Sequence, residues 1–242
     1  MTQALRNPIF CAIDTDDVAA AKSLASRIAG AVGGIKLGLQ FFTAHGPYGV
    51  AEVQKAASAP LFLDLKFHDI PNTVAGAVRA VVPLAPAIIN VHAAGGRAMM
   101  AAAAAAATES AARHGVARPR VIGVTVLTSM DESDLAQTGV GASPLEQVRR
   151  LAALAQTAGL DGVVCSPQEA AVLRADLGPD FLLVTPGVRP SGTAANDQKR
   201  TMTPAEAIAA GASYLVIGRP ITDAADPADA ASRIAAELGA RS

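Results

Sequence analysis

Eight short apolar runs punctuate the chain, at 9–13, 33–37, 60–64, 87–91, 120–126, 161–165, 181–185 and 214–218. Each is close to continuous in hydrophobic residues, the pattern of strands buried on both faces of a parallel sheet. Ala-rich stretches with helical character separate them. Residues 16–29 place Asp16 and Asp17 in an expected first turn, and 144–158 follow Ser143, a candidate N-cap. The seven alanines at 101–107 predict a helix of small side-chain volume, since Ala is the strongest helix former. Eight strand–helix units predict an α/β fold, a (β/α)8 TIM barrel in preference to an open doubly wound sheet. No stretch has a linker's composition, so a single barrel domain over 1–242 is expected, with 187–198 as one long functional loop.

Composition narrows the function classes. Hydrophobic residues make up 51% and charged residues 17%, enough for a large core and far from disorder. A net charge of −1, no Trp and few aromatics argue against a nucleic-acid surface. Cys11 and Cys165 lie inside apolar runs without metal-ligand spacing, so both are expected as buried, reduced thiols. The first residues lack the apolar stretch of a signal peptide, and no 18-residue apolar run is present. A cytoplasmic protein with no membrane partner is the expectation.

The chemistry gathers at the strand ends. In a (β/α)8 barrel the active site lies at the C-terminal ends of the strands. Those ends carry Asp14, Lys36, Asp64 with Lys66, His92, Thr128 with Ser129, Ser166, Thr185 with Pro186, and Gly218 with Arg219. Side chains at i and i+2 of a strand share a face, which sets Asp64 beside Lys66. With Lys36 and Asp69 they form a cluster of alternating sign, in which carboxylates favour the ammonium forms. From spacing alone, a purely structural ion-pair network at the strand ends is the alternative. Gly218-Arg219 and the segment Pro186 to Arg189 follow the last two strands, where barrels often bind phosphate. Thr128 and Ser129 read either as ligand contacts or as caps of the next helix, with Asp131 a competing cap. His92 reads as a hydrogen-bonded barrel residue, and His68 receives no role.

Asp-Leu-Lys-Phe-His-Asp-Ile-Pro-Asn-Thr at 64–73 resembles the signature of the orotidine 5′-phosphate decarboxylases. The resemblance extends to Ala-Ile-Asp at 12–14, Ile-Lys-Leu-Gly at 35–38, Val-Thr-Val-Leu-Thr-Ser-Met at 124–130, Asp-Gly-Val-Val-Cys-Ser at 161–166, Val-Thr-Pro-Gly-Val-Arg-Pro at 184–190, Asp-Gln at 197–198 and Val-Ile-Gly-Arg-Pro at 216–220. It is strongest to the short bacterial form. The Asp-x-Lys-x-x-Asp core is shared with phosphosugar-processing barrels, whereas the Ile-Pro-Asn-Thr extension is more specific to the decarboxylases.

The resemblance implies cofactor-free conversion of orotidine 5′-monophosphate to UMP and CO2, the last step of de novo pyrimidine nucleotide synthesis. It implies Lys66 as proton donor to C6, with Lys36, Asp64 and Asp69 completing a charged tetrad. Asp14 and Lys36 would hold ribose hydroxyls, and Thr128 the pyrimidine edge. Gln198, Arg219 and the Gly218 backbone would bind phosphate beside Pro186, with Arg189 anchoring the closing loop. Asp69 and Thr73 would reach a partner's active site, implying a homodimer. No metal is expected. The alternatives are a magnesium-dependent phosphosugar decarboxylase or aldolase of the same superfamily, and a non-catalytic nucleotide-binding barrel.

Overall fold

Each apolar run becomes a parallel strand: β1 Ile9–Ile13, β2 Gly34–Gly38, β3 Leu61–Phe67, β4 Ile88–His92, β5 Arg120–Val124, β6 Gly162–Val164, β7 Leu182–Pro186 and β8 Tyr214–Ile217. The computed structural model describes residues 7–190 and 202–239. The strands pair in sequence order, and β8 closes on β1 through Ile9–Leu215, Phe10–Val216 and Cys11–Ile217. This is the expected (β/α)8 barrel.

Continuous apolar strands are what such closure needs, because both faces are covered. Residues of one phase fill the interior, among them Phe10, Phe62, Ile88, Ile122, Val184 and Val216. The Phe10 ring meets Phe62 and Tyr214 edge-on, with centroids 6.1 and 5.5 Å apart. A Cβ on Gly34 would lie 2.3 Å from the Phe10 ring, so glycine is what admits that ring at this level. Residues of the other phase, including Ile9, Cys11, Ile13, Ile35 and Leu63, pack under the surrounding helices in the main core.

The helices follow their caps. Ser143 caps Pro144–Thr157 in a reciprocal pair with Glu146. The first helix is shorter than expected, Val18–Ile28, because Asp17 caps it by accepting from the N–H groups of Ala19 and Ala20; neither aspartate lies in its first turn. The alanine run lies in Gly96–His114, where Ala103, Ala106 and Ala107 are buried. Small side chains let that helix pack closely on Pro71–Val81. No described helix is long and apolar enough to cross a membrane.

Two strand ends depart from expectation by more than one residue. β5 stops at Val124, where Thr125 turns to donate through Oγ1 to the Val164 carbonyl at 2.8 Å. β3 continues to Phe67, past the expected end, by means of an irregularity described below.

Candidate active site

The inward phase that fills the barrel continues upward into charge. Above Phe10 and Ala12 comes Asp14; on β2, opposite Ala12, Lys36; above Phe62, Asp64; above Ile88, Asn90. These side chains border a cavity of about 320 Å³ at the C-terminal end of the barrel, the size class of small-ligand sites. Lys66, Thr128, Pro186, Arg189, Gly218 and Arg219 line it as well, with Val124, Val126, Val164 and Val216 as an apolar wall.

Charge alternates along a continuous chain. Lys36 Nζ lies 3.3 Å from Asp14 Oδ1 and 3.2 Å from Asp64 Oδ2, and Lys66 Nζ lies 2.6 Å from Asp64 Oδ1. The side chains of Lys36 and Asp64 are 9% and 11% exposed, while that of Asp14 is 61% exposed at the rim. Burial disfavours the Lys36 ammonium, yet the Asp64 and Asp14 carboxylates outweigh it and hold the group above its ordinary value. Burial likewise opposes the Asp64 carboxylate. The Lys36 and Lys66 charges, with hydrogen bonds from Lys66 and Asn90, bring it below the usual range. Both charged forms are therefore secured at neutral pH.

Strand alternation alone does not make the Asp64–Lys66 contact. The β3–β4 register runs from Leu63–Ile89 to Phe67–Val91, so Asp64, Leu65 and Lys66 bulge opposite Asn90. Lys66 has φ 50°, a left-handed conformation that costs a non-glycine residue on the order of 1–3 kcal/mol. Its N–H donates to Asn90 Oδ1 at 2.7 Å, and Asn90 Nδ2 donates to Asp64 Oδ1 at 2.7 Å. Asn90 was missed in the sequence. Its signal was available, a carboxamide in mid-strand on the inward phase of Ile88 and His92.

Asp69 and Thr73 stand apart. Both are exposed, and Asp69 Oδ1 accepts from the Ile70 N–H at 2.6 Å. Asp69 makes no ion pair among the described residues, so one chain brings Lys36, Asp64 and Lys66 together without it. Gln198 lies outside the described residues, as does most of the 187–198 loop; Arg189 is tied by its N–H to the Met202 carbonyl at 2.9 Å. Arg219 opens a four-residue helix capped by Gly218, at the cavity edge after β8.

The caps and thiols also sort themselves. Asp131 caps Glu132–Gln137, which leaves Thr128 to line the cavity. His92 meets His68 by ring contact, with centroids 5.4 Å apart, and its ring makes no hydrogen bond among the described residues. Burial first, then the charges of His68 and Lys66, pushes the His92 pKa down. Cys11 and Cys165 are buried free thiols; burial, aided by Asp14 and Glu169 respectively, pushes each up to about 12, which makes them inert.

The family model described as "Orotidine 5'-phosphate decarboxylase / HUMPS family" matches residues 7–234. The chain belongs to that family. It is 66% identical over 238 residues to the orotidine 5′-phosphate decarboxylase of Rhodospirillum rubrum, covering 98% of this chain and 96% of the relative. It is 57% identical over 233 residues to the corresponding protein of Paramagnetospirillum magneticum, covering 96% and 99% of the two chains. The crystal structure of orotidine 5′-phosphate decarboxylase from Lactobacillus acidophilus superposes with a TM-score of 0.83 at 34% identity, over 96% of this chain and 99% of that one.

Proposed function

We propose that this chain decarboxylates orotidine 5′-monophosphate to UMP and CO2 in pyrimidine nucleotide synthesis, with Lys66 as the acid. The observation that carries the reading is the Asp14–Lys36–Asp64–Lys66 chain at one side of the cavity, with Arg219 and Gly218 at its edge. Breaking the bond from C6 to the carboxylate leaves the electron pair on C6, where no adjacent carbonyl delocalises it. A fixed ammonium stabilises that charge and then passes its proton to C6. Asp64 keeps Lys66 in place at 2.6 Å. Because this chemistry uses preorganised charge, the reading needs no cofactor and no metal.

The remaining roles are those that the family resemblance implies. Asp14 and Lys36 hold ribose hydroxyls, and Thr128 meets the pyrimidine edge. Arg219, the Gly218 backbone and Gln198 bind phosphate beside Pro186, and Arg189 anchors the closing loop. A cytoplasmic location is part of the proposal.

The magnesium-dependent alternative needs free carboxylate oxygens. Asp64 has both of its oxygens engaged, by Lys36 on one side and by Lys66 and Asn90 on the other. An absorbance assay with orotidine 5′-monophosphate, run with and without EDTA, tests the reading. Turnover that persists in EDTA is expected; no turnover overturns the assignment, and turnover abolished by EDTA favours the metal-dependent one.

The proposed assembly is a homodimer in which Asp69 and Thr73 enter the partner's site. Their exposure beside Ile70, which is 66% exposed, supports it. Mixing Lys66→Ala and Asp69→Ala chains, each inactive alone, is expected to restore about a quarter of the wild-type sites in randomly formed dimers. A mixture that remains inactive, although it forms mixed dimers, refutes the shared site.

A further inference from the structure

We propose that Asn90 is a positioning residue for the decarboxylation: its carboxamide ties the Lys66 backbone and the Asp64 carboxylate together, and so fixes the direction in which the Lys66 ammonium enters the cavity. The inference rests on the reading of Lys66 as proton donor.

Three observations carry it. Asn90 is 1% exposed, on the inward face of β4, opposite the bulge of Asp64, Leu65 and Lys66 on β3. Its Oδ1 accepts the Lys66 N–H at 2.7 Å, in the place where a regular strand would use a backbone carbonyl. Its Nδ2 donates at 2.7 Å to Asp64 Oδ1, the same oxygen that receives Lys66 Nζ at 2.6 Å. The contacts close a ring: amide oxygen to Lys66 N–H, along the lysine side chain to Nζ, across Asp64 Oδ1, and back to the amide nitrogen. The two ends of Lys66 are thus referred to one buried group.

The amide can sit only one way round. A flipped carboxamide would set its NH2 against the Lys66 N–H and its oxygen against the Asp64 carboxylate, two repulsive contacts in a low-dielectric site. The left-handed φ of 50° at Lys66 is a conformation that a lysine keeps only where its surroundings over-determine it, and the hydrogen bond to Asn90 is the restraint on its N–H. A strand needed only for stability would run through without the bulge. Here the bulge re-aims a side chain beside a cavity, the situation in which bulges concentrate.

The test is to make Asn90→Ala and Asn90→Asp and to count working sites by UMP binding. A displacement of the acid by about 1 Å costs on the order of 100-fold in rate. For Asn90→Ala, kcat per UMP-binding site is expected to fall about 100-fold, while the KM for orotidine 5′-monophosphate and the Kd for UMP change less than about threefold. Asn90→Asp, nearly the same size, keeps an acceptor for the Lys66 N–H but faces Asp64 with a second carboxylate; its kcat is expected to fall at least as far. It gives the same reading if the alanine variant does not fold. In Asn90→Ala the acid limb of the kcat profile should also move to higher pH. Asp64 has then lost a donor that favours its charged form, with Lys36, Lys66, Asp14 and His92 the charged or titratable groups around it.

Unchanged kcat per UMP-binding site in both variants overturns the proposal and leaves Asn90 as a packing residue. Folded variants that lose UMP binding together with turnover also overturn it, because Asn90 would then serve binding. A wild-type chain inactive toward orotidine 5′-monophosphate sinks the proposed function itself, an outcome seen before any variant is made.

Discussion

Two aspartates at opposite ends of the barrel are built alike. Asp64, near the C-terminal end, gathers Lys36, Lys66 and the Asn90 amide; Asp161, just before β6 at the N-terminal end, gathers Arg118, Arg120 and the Val121 N–H. Their side chains are 11% and 13% exposed, so burial does not tell them apart. The partners do. Arg118 and Arg120 approach within 2.8 and 3.2 Å, and Asp161 returns the bond through its own N–H to the Val121 carbonyl at 2.9 Å, knitting β5 to β6. Nearby, Arg174 donates to the carbonyls of Gly178, Pro179, Phe181 and Gly211, which fastens the starts of β7 and β8. Those charges face backbone. The charges around Asp64 face a cavity, and one of them sits on a left-handed backbone. Dense charge marks a staple at one end and a reaction site at the other; concavity and local strain separate the two.

The contrast breaks most visibly at Lys66. Lys66→Ala should lower turnover by more than about 10⁴-fold, since it removes both the acid and the charge that stabilises C6. UMP binding should stay close to wild type, and thermal stability should fall only modestly: alanine bears the same left-handed strain as lysine, and Asp64 loses one ammonium partner but keeps Lys36 and the Asn90 amide. Calorimetry and single-turnover kinetics on one preparation check both. An active Lys66→Ala chain would make the Asp64 cluster another staple.

Asp161→Ala should do the reverse. It takes one acceptor from two guanidinium groups and from the Val121 N–H, but Arg118 keeps Thr108 Oγ1 and the Pro119 carbonyl, and the two arginines, 31% and 42% exposed, reach water. A loss of about 2 kcal/mol is expected, which lowers Tm by roughly 4–8 °C in a chain of this size. The kcat at 25 °C should not change. A fall in kcat per folded molecule, without a fall in Tm, would erase the distinction between the two ends.

The sequence made the active end more legible than the staple. Eight apolar runs located the strands, and one-sided polarity at their ends located the site, because a buried parallel strand tolerates charge only where it leaves the core. Asp161 stood in a quoted motif and drew no role: its partners lie forty and more residues away, and nothing local announces a carboxylate that serves backbone. Asn90 was readable from its inward phase but lay one step below the strand ends. The bulge at Lys66 was not readable. No Gly or Asn flags a left-handed residue there, and the conformation is set by Asn90 across the sheet. The early stop of β5 has the same cause, a tertiary bond from Thr125 to Val164 that overrides an apolar run.

The finest difference between the two ends lies in pH. Lys36, held above its ordinary value, adds stability that is complete below about pH 10 and is lost as pH rises through the raised value. Asp64, held below its ordinary value, adds stability present above about pH 4 and lost as pH falls through the lowered value. Neither titrates between pH 5 and 8. His92 has its ordinary value inside that range, and burial, then the charges of His68 and Lys66, favour its neutral form in the folded chain. Its contribution is therefore present above about pH 6.5 and lost as pH falls through the lowered value. The ring is only half-buried, so the effect should not exceed about 1 kcal/mol. Wild type should lose stability as pH falls from 7 to 5, and His92→Gln should lose less over the same range. Denaturant unfolding at the two pH values measures both slopes. Equal slopes would mean that the active end carries no more pH sensitivity than the arginine staple, which contains no histidine at all.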